Sequence, residues 1–397
     1  MSKKIYKIVD LFAGCGGLSC GLEQAGFTPW FVNEIIETFC NTYKRNHNLD
    51  DSHYFVGDIN ELNENLDDYK EYLEDITLVC GGPPCQGFSM ANRQRILDDP
   101  RNQLYKAYLY FLSQVRPKFF IMENVKGMSK KIEEIKDDFT EYLGVEYQFD
   151  YRLLKAQDFG VPQNRERFIM IGNRVGVNPN DIFEEIYKQG RSPFVLKDVL
   201  EGLPHLESRK RIGKNEENER SGFTEREFVY PETEFYHFIN GNRHIDKLYN
   251  HKNRYNNPRD IEIYRRLPQG ANSLHDSIAD IMPYSRRNNI FKDKYFKLDE
   301  NQICKTITSH MKFDCNMYIH PWEARGLSPR EAARIQTFPD DYVLTGAQNL
   351  WYAQVGNAVP PLFAGVIASN LLRHGFGETD APNYAELVHR LGLTYLE

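Results

Sequence analysis

A cysteine in a stiff turn is the most reactive feature of the sequence. The run Gly81-Gly82-Pro83-Pro84-Cys85 sets a thiol directly after a strand-like apolar segment. The prolines stiffen the backbone, and the glycines let a ligand approach it closely. Cys85 is therefore the predicted nucleophile, since accessibility and thiolate character make a cysteine reactive. The other six cysteines are expected to be buried small hydrophobic residues: Cys15, Cys20, Cys40, Cys80, Cys304 and Cys315.

A carboxylic acid and two guanidinium groups are the next candidates. Glu123 follows the apolar run 119–122, which predicts a half-buried acid suited to proton transfer or hydrogen bonding. Arg165 and Arg167 open a later strand-like segment and could hold a carbonyl oxygen, a phosphate or Glu123 itself. A surface ion-pair cluster is the alternative for one of these arginines.

Polar residues also end the first three predicted strands. A glycine turn, 12–17, follows the first, Glu34 ends the second and Asp58 ends the third. Each alone has an ordinary explanation, a plain turn or a helix cap. Together they favour an adenosine-containing ligand at the edge where strand ends meet. The sequence has no Gly-x-Gly-x-x-Gly spacing for NAD and no phosphate-binding Gly-Lys-Ser/Thr run, so S-adenosylmethionine fits better.

The elements that position these residues alternate between strand and helix over roughly the first 175 residues. This order predicts an α/β fold with a mostly parallel, helix-covered sheet. Residues 180–320 break the pattern and predict a second, irregular domain. A capped helix at 328–336 and an apolar helix at 361–372 follow, and the latter is expected to pack back on the first sheet.

Composition narrows the class of protein. The chain has 397 residues, a net charge of −7 and seven cysteines without paired metal spacing. No apolar run is expected to approach membrane-spanning length, no metal site is predicted, and a reducing, cytoplasmic location is expected. Residues 241–320 hold 14 Lys/Arg against 9 Asp/Glu, which suits a nucleic-acid contact face but is also compatible with scatter.

Five blocks in order resemble the DNA (cytosine-5)-methyltransferase family: Asp10–Ser19, Gly81–Ser89, Glu123–Val125, Gln163–Arg167 and Gln354–Pro360. The resemblance covers the chain except roughly 180–320 and the tail. It implies a Rossmann-like S-adenosylmethionine-dependent methyltransferase sheet plus a smaller target-recognition domain. The implied domains are a catalytic domain at 1–178 completed by 343–375, a target-recognition domain and hinge at 179–342, and a peripheral segment at 376–397.

The resemblance also implies roles for the reactive groups. Cys85 would attack C6 of a flipped-out cytosine so that C5 can accept a methyl group. Glu123 would hold N3 and the exocyclic amine, and Arg165 and Arg167 would hold O2 and orient neighbouring groups.

The implied cofactor is S-adenosyl-L-methionine, with Phe12 stacked on adenine, Glu34 on the ribose and Asp58 on the amino group. The full implied cofactor set is Phe12, Ala13, Gly14, Gly16, Gly17, Glu34, Ile35, Asp58, Ile59, Pro83, Leu104, Asn357 and Val359.

Double-stranded DNA is the expected partner. Residues 86–101 are predicted to be a mobile lid, and residues 180–320 match the family's variable recognition region. The predicted DNA contacts are Gln86, Ser89, Arg93, Arg95, Arg254, Arg286, Arg287, Thr306 and Thr308, although a surface role is a fair alternative for each.

Family habits predict a monomeric, nucleoid-associated enzyme of a restriction–modification system, with a separate endonuclease acting on the same site. A tRNA cytosine-5 methyltransferase and a catalytically inactive DNA-binding relative are the alternatives. A third alternative is an NAD oxidoreductase, but the sequence shows no group of residues suited to hydride transfer.

Overall fold

The computed structural model describes residues 4–84, 104–209, 217–283, 294–384, 386 and 387. The chain divides into two compact units. Unit 1 comprises residues 1–160, 165–192 and 359–397, and unit 2 comprises residues 161–164 and 193–358.

Unit 1 is built on a seven-stranded sheet with the order β3-β2-β1-β4-β5-β8-β6. The strands are β1 (Lys7–Leu11), β2 (Thr28–Glu34), β3 (Tyr54–Val56), β4 (Leu78–Gly81), β5 (Phe119–Val125), β6 (Gln148–Lys155) and β8 (Glu166–Asn173). The first five are parallel, and β8 runs antiparallel between β5 and β6. The mixed sheet confirms the predicted fold class, while the antiparallel β8 departs from a purely βαβ rhythm.

Helices cover both faces of this sheet. They are α1 (Gly17–Ala25), α2 (Glu37–Asn46), α3 (Ile59–Glu64), α4 (Lys70–Leu73), α5 (Leu104–Val115), α6 (Ile132–Leu143), α7 (Pro179–Tyr187) and α13 (Pro361–Asn370). Side chains of α3, α5 and α6 share one apolar core with β1, β4 and β5. Burying such apolar surface supplies most of the stability of the unit.

Helices α1 and α13 pack against each other at very close range. A Cβ atom at Gly21 would lie 2.1 Å from the Pro361 carbonyl oxygen and 2.6 Å from the Ala364 Cβ. Only glycine permits this approach, so the glycine-rich start of the chain is fitted to the last long helix. The prediction that residues 361–372 pack back on the first domain is confirmed.

Unit 2 contains short elements joined by long loops. They are β7 (Gln163–Asn164), α8 (Leu196–Leu200), β9 (Gly222–Glu227), α9 (Glu234–Asn240), β10 (Lys247–Lys252), α10 (Pro258–Arg266), β11 (Cys304–Lys305), α11 (Pro329–Ile335) and α12 (Gln348–Asn357). Ser328 caps α11, and its hydroxyl and the Glu331 carboxylate form the predicted capping box. Buried ion pairs replace much of the apolar packing here: Arg334 holds Asp340 through two bonds of 2.7 Å.

Two details differ from the sequence-based expectations. Glu123 was expected after the end of its strand, but it lies within β5 because β8 continues the pairing, with Glu123 opposite Ile169. In addition, the helical run Gln348–Gly375 is long and apolar enough to cross a membrane, contrary to prediction, but 89% of its apolar 18-residue window is buried inside the protein. Burial of this kind is typical of core helices.

The division into compact units places residues 343–358 in unit 2, whereas the resemblance assigned them to the catalytic domain. Helix α12 is held there by Gln336, whose Nε2 donates to the Val355 carbonyl at 2.6 Å. At the start of the segment 376–397, the Phe376 ring lies 5.1 Å from that of Tyr6 and 4.7 Å from that of Phe119. The functional assignment of these segments stays a prediction.

Candidate active site

The carboxyl ends of neighbouring strands meet at one edge of the unit 1 sheet. Leu11 pairs with Asn33 on β2 and with Gly81 on β4, and Gly81 pairs with Met122 on β5. This edge is where ligands bind in open α/β sheets. The register brings together, at this edge, the predicted residues Phe12, Glu34, Asp58, Gly82 and Glu123.

The turn after β1 has an unusual backbone. Phe12 adopts a φ of 56°, and Gly14 and Gly16 have φ values of 59° and 88°. A left-handed conformation is uncommon for a phenylalanine and is often found at functional sites. A Cβ at Gly14 would meet nothing within 4 Å, so the turn leaves open space beside the backbone.

Glu34 is held by this turn. The Gly14 amide donates to Oε2 at 2.7 Å, and the Ile36 amide donates to Oε1 at 2.8 Å. The residue is 6% exposed, and its burial raises the pKa of the carboxyl, while the backbone donors act in the opposite direction. Each carboxylate oxygen retains a lone pair that could accept from ligand hydroxyls.

Asp58 caps helix α3, the structural role considered as its alternative. Its Oδ1 accepts from the Asn60 amide and from Asn60 Nδ2, both at 2.8 Å. Its Oδ2 accepts no hydrogen bond within the described residues. Asn33, which the sequence did not single out, fixes the backbone before Asp58 by donating to the Phe55 and Gly57 carbonyls at 3.2 and 2.9 Å.

Apolar side chains surround these acids and face solvent. Ile35 is 61% exposed, Ile36 43% and Val56 44%, although each lies at or beside a strand end. Exposed aliphatic residues clustered around a polar site mark a surface that a flat, partly apolar ligand can cover. Of these, Ile35 was predicted and the other two were not.

Glu123 forms the acidic centre at the end of β5. Arg167 Nε lies 2.7 Å from Glu123 Oε1, and both side chains are about nine-tenths buried. A Cβ at Gly82 would lie 2.9 Å from Glu123 Oε2, so the start of the cysteine turn runs directly past the carboxylate. Asn124, which the sequence did not single out, anchors that turn by donating from Nδ2 to the Pro83 carbonyl at 2.8 Å.

The second arginine has a different setting. Arg165 is 1% exposed, and its carbonyl accepts from the Ala156 amide at 2.8 Å. The Arg167 side chain is less completely buried and also donates to the Glu166 carbonyl at 2.8 Å. The arginine pair is therefore partly internal, which argues against the alternative of a surface ion-pair cluster.

Asp10 is a buried acid that sequence reasoning passed over. It is 1% exposed, accepts from Ser19 Oγ at 2.6 Å, and burial raises its pKa to about 7, against the effect of the Ser19 bond. The available signal was an acid inside an apolar strand, with a serine one helical turn into α1. The bond ties β1 to α1 on either side of the glycine turn.

The six cysteines expected to be structural are all buried, and none forms a disulfide within the part of the chain that the structure describes. Burial raises the pKa of Cys15 to about 12 and of Cys40 to about 11, which makes these thiols poor nucleophiles. Seven predicted site residues lie outside the described residues: Cys85, Gln86, Ser89, Arg93, Arg95, Arg286 and Arg287. The predicted lid, 86–101, lies there as well.

The remaining predicted residues are distributed over both units. Pro83 and Val359 are buried in unit 1, and Leu104 begins α5. In unit 2, Asn357 is exposed at the end of α12, the Thr306 hydroxyl donates to the Asn164 carbonyl, and the Thr308 hydroxyl lies 3.2 Å from that of Tyr318. Their predicted ligand contacts stay predictions.

Comparison with known proteins gives a consistent result. The family model described as C-5 cytosine-specific DNA methylase matches residues 6–373. Type II methyltransferase M1.HphI of Haemophilus parahaemolyticus is 32% identical, with 93% of this chain and 87% of that protein covered. Type II methyltransferase M.DdeI of Desulfomicrobium norvegicum is 30% identical, with 92% and 88% covered.

Solved structures agree with this match. A protein assigned as a DNA modification methyltransferase of an Escherichia coli prophage superposes with a TM-score of 0.73 at 27% identity, covering 94% of this chain and all of that one. The Schizosaccharomyces pombe Dnmt2 methyltransferase superposes with a TM-score of 0.54 at 15% identity, covering 93% and 98%, and at that identity shares the fold alone.

Proposed function

The chain belongs to the C-5 cytosine-specific DNA methylase family, and we propose that it methylates C5 of a flipped-out cytosine through a covalent intermediate on Cys85. It is a DNA (cytosine-5)-methyltransferase of restriction–modification type. The observation that carries the finer proposal is the position of Glu123. This largely buried carboxylate lies beside the backbone of the glycine pair that leads into Cys85.

The proposed reaction begins on the cytosine ring. The Cys85 thiolate bonds to C6, and the ring electrons move toward C5 and N3, which makes C5 nucleophilic. Glu123 binds N3 and the exocyclic amine, where charge changes during this step. Arg167, paired with Glu123 at 2.7 Å, orients the carboxylate, and Arg165 is proposed to hold O2. After C5 has accepted the methyl group, the C5 proton passes to water and the Cys85–C6 bond breaks, which restores the aromatic ring and the thiolate.

S-adenosylmethionine is the cofactor that the methyltransferase reaction implies, and the strand edge fits it. When bound, it supplies an electrophilic methyl group on a sulfonium. Glu34 offers two carboxylate oxygens for ribose hydroxyls. The open turn at Gly14 lets a ligand approach the protein backbone, and Ile35 and Val56 expose apolar side chains to the face of a ring. Phe12 and Asp58 are proposed to stack on adenine and to accept from its amino group.

The DNA substrate sets further requirements. A cytosine inside a duplex cannot be attacked at C6, so the target base is proposed to leave the stack. Recognition of the surrounding sequence is assigned to unit 2. We expect a monomer in the cytoplasm that associates with the nucleoid through DNA, together with a cognate endonuclease that acts on the same site without a stable complex.

Bisulfite sequencing of DNA from cells that express the protein is the direct test of activity. The expected result is methylation of one cytosine within one short sequence. Duplex DNA and tRNA should be compared as methyl acceptors, and transfer to tRNA alone would refute the proposal.

The nucleophile can be tested separately with duplex DNA that carries 5-fluorocytosine at the target. Because fluorine at C5 blocks the final elimination, the wild-type enzyme should form a covalent complex that survives denaturation. Cys85→Ala should lose this complex, whereas Cys304→Ala, which changes a buried thiol in β11, should keep it. Persistence of the complex in Cys85→Ala would exclude this residue as the nucleophile.

A further inference from the structure

A cavity of about 340 Å³ lies within unit 2. Two segments far apart in the sequence form its wall. They contribute residues 254–257 and Asp260 on one side, and Phe313, Asp314 and Asn316 on the other. Arg254 was predicted to contact DNA, and residues 255–257 and Asp260 belong to the stretch 251–260, whose groups suit base edges and phosphates. Phe313, Asp314 and Asn316 were not predicted to touch a ligand.

Arg254 holds the two segments together. Its Nη1 donates to the Met311 carbonyl at 2.7 Å, and its Nη2 donates to the Lys312 carbonyl at 3.3 Å. The guanidinium also lies 5.4 Å from the centre of the Tyr352 ring. These contacts use the donors that a base contact would need, so Arg254 is better explained as a positioning residue for residues 311–316 than as the predicted base reader.

Two asparagines on the wall are fixed by a buried tyrosine. Asn256 Nδ2 donates to the Tyr264 hydroxyl at 3.1 Å, and that hydroxyl donates to Asn316 Oδ1. Both asparagines are 7% exposed. Among the described residues, Asn256 Oδ1 is buried and finds no hydrogen-bond partner, which is costly unless a ligand or water completes the bond.

The groups left to bind a ligand are mainly acceptors. Asp314 Oδ1 accepts from the Asn316 amide at 3.1 Å, while Asp314 Oδ2 accepts no hydrogen bond within the described residues. Both Asp260 oxygens are engaged, by the Tyr295 hydroxyl at 2.8 Å and by Asn257 Nδ2 at 2.7 Å. Two carboxylates repel a phosphate, whereas an unengaged carboxylate oxygen suits an amino group on a base edge.

An aromatic ring completes the cavity. Phe313 is 65% exposed, an unusual environment for a phenylalanine that lines a polar cavity. Lys312 Nζ lies 4.9 Å from the ring centre, so the rim carries positive charge suited to DNA phosphates. An apolar face beside amine acceptors matches the edge of a base rather than the sugar–phosphate backbone.

We propose that this cavity reads one base of the recognition sequence through its exocyclic amino group, N6 of adenine or N4 of cytosine. Asp314 accepts from the amine, Phe313 contacts the apolar edge of the base or its neighbour, and Arg254 positions both through the backbone. The inference rests on the proposed function, because it assigns sequence selection for that reaction to specific residues.

The test begins with the recognition sequence of the wild-type protein, determined by bisulfite sequencing. Duplexes are then made in which each adenine is replaced by purine, or each non-target cytosine by 2-pyrimidinone, so that only the amino group is lost. For the wild-type protein, removal of the amino group at the one position that the cavity reads should lower kcat/KM by ~10- to 100-fold. Whether purine or 2-pyrimidinone causes the loss identifies the base.

Asp314→Asn should abolish the discrimination at that position and leave the others unchanged. Asp299→Asn is the matched control, since Asp299 Oδ1 accepts from the Asn301 amide at 2.9 Å in the same kind of turn but does not line the cavity. Phe313→Ala should lower kcat/KM on the cognate duplex by about 10-fold, and Leu274→Ala, which removes another exposed apolar side chain, should not.

The inference would be overturned, with methyl transfer intact, if Asp314→Asn and Phe313→Ala both responded to amino-group removal at each position as the wild type does. The inference would also be overturned if Asp314→Asn lowered kcat/KM equally at every position and Asp299→Asn did the same. A wild-type protein that methylates no cytosine would instead refute the proposed function itself.

Discussion

The two units place their polar groups by different physical means. In unit 1 the strand register aligns the carboxyl ends of β1 to β5, so the residues at these strand ends become neighbours in space. In unit 2 the cavity wall is assembled by side chains, through the Asn256–Tyr264–Asn316 chain and the Arg254 bonds to loop carbonyls. Sites that depend on sheet register can be predicted from sequence, whereas sites that depend on side-chain networks cannot.

The largest expected effect tests the site that the register builds. Glu123→Gln keeps the shape of the side chain but removes its charge and its ion pair with Arg167, so kcat should fall by ~10²- to 10⁴-fold. Initial rates of methyl transfer to duplex DNA provide the measurement. Glu166→Gln, which breaks only the more exposed pair with Lys126, is the control. A fall of less than threefold in kcat would contradict the assigned role.

Stability should next distinguish the buried from the exposed ion pairs of unit 2. Arg334 and Asp340 are both fully buried in unit 2, so Arg334→Met leaves an uncompensated carboxylate and should lower the free energy of unfolding by about 3 to 5 kcal/mol. Arg266→Met, in an exposed pair with Asp280, should cost about 1 kcal/mol or less. Urea titrations compare the two, and equal midpoints would show that buried ion pairs do not stabilise unit 2.

A smaller effect is expected at the cofactor edge. Glu34→Gln weakens the bonds that Gly14 and Ile36 donate and removes a charged acceptor, so KM for S-adenosylmethionine should rise by ~10- to 100-fold with little change in kcat. Glu37→Gln, in the exposed first turn of α2, should leave KM unchanged. A change in kcat alone would place Glu34 outside the cofactor site.

The smallest effect concerns the opposite pH responses of two buried groups. Burial raises the pKa of Asp10 to about 7, above its unfolded value of about 3.9, so its contribution to stability is lost as the pH rises from 4 to 7. Burial lowers the pKa of His251 to about 4, below its unfolded value of about 6.5, so its contribution is lost as the pH falls through that window. His251 faces Glu331, which favours the charged ring, and Arg325 and Arg334, which disfavour it.

Denaturation at pH 4.5 and pH 7.5 tests both signs. Relative to the wild type, Asp10→Asn should gain about 1 to 3 kcal/mol at the higher pH, and His251→Gln should gain a similar amount at the lower pH. The assignment would be contradicted if both variants showed their larger gain in the free energy of unfolding at the same pH.

Most of unit 1 could be predicted because each strand is short, apolar and followed by a distinctive turn. For the helix predicted at 361–372, the α-helical part ends at Asn370, whereas β5 extends to Val125, three residues beyond the apolar run 119–122 that predicted it. The strand that contains Arg167 was predicted, but its antiparallel direction was not, because strand direction is set by pairing with β5 and leaves no mark in the local sequence.

The site was predicted unevenly for the same reason. Glu34 and Asp58 lie where their motifs placed them, but Asn33 and Asn124 act on backbone carbonyls of other strands and have no local signature. In unit 2 the sequence located the region and not the cavity, because Asn256 and Asn316 meet only through Tyr264. Contacts of that kind require the folded chain.

The close fit of Gly21 against α13 has a consequence for protein synthesis. Helix α1 is made at the start of translation, but its partner is not made until residues 361–370. At ~5–20 residues per second this delay is roughly 20 to 70 s, during which nearly all of unit 2 leaves the ribosome. We therefore expect the order of folding to reverse the order of synthesis. Unit 1, whose first residues are made first, should be the last part of the chain to complete its folding.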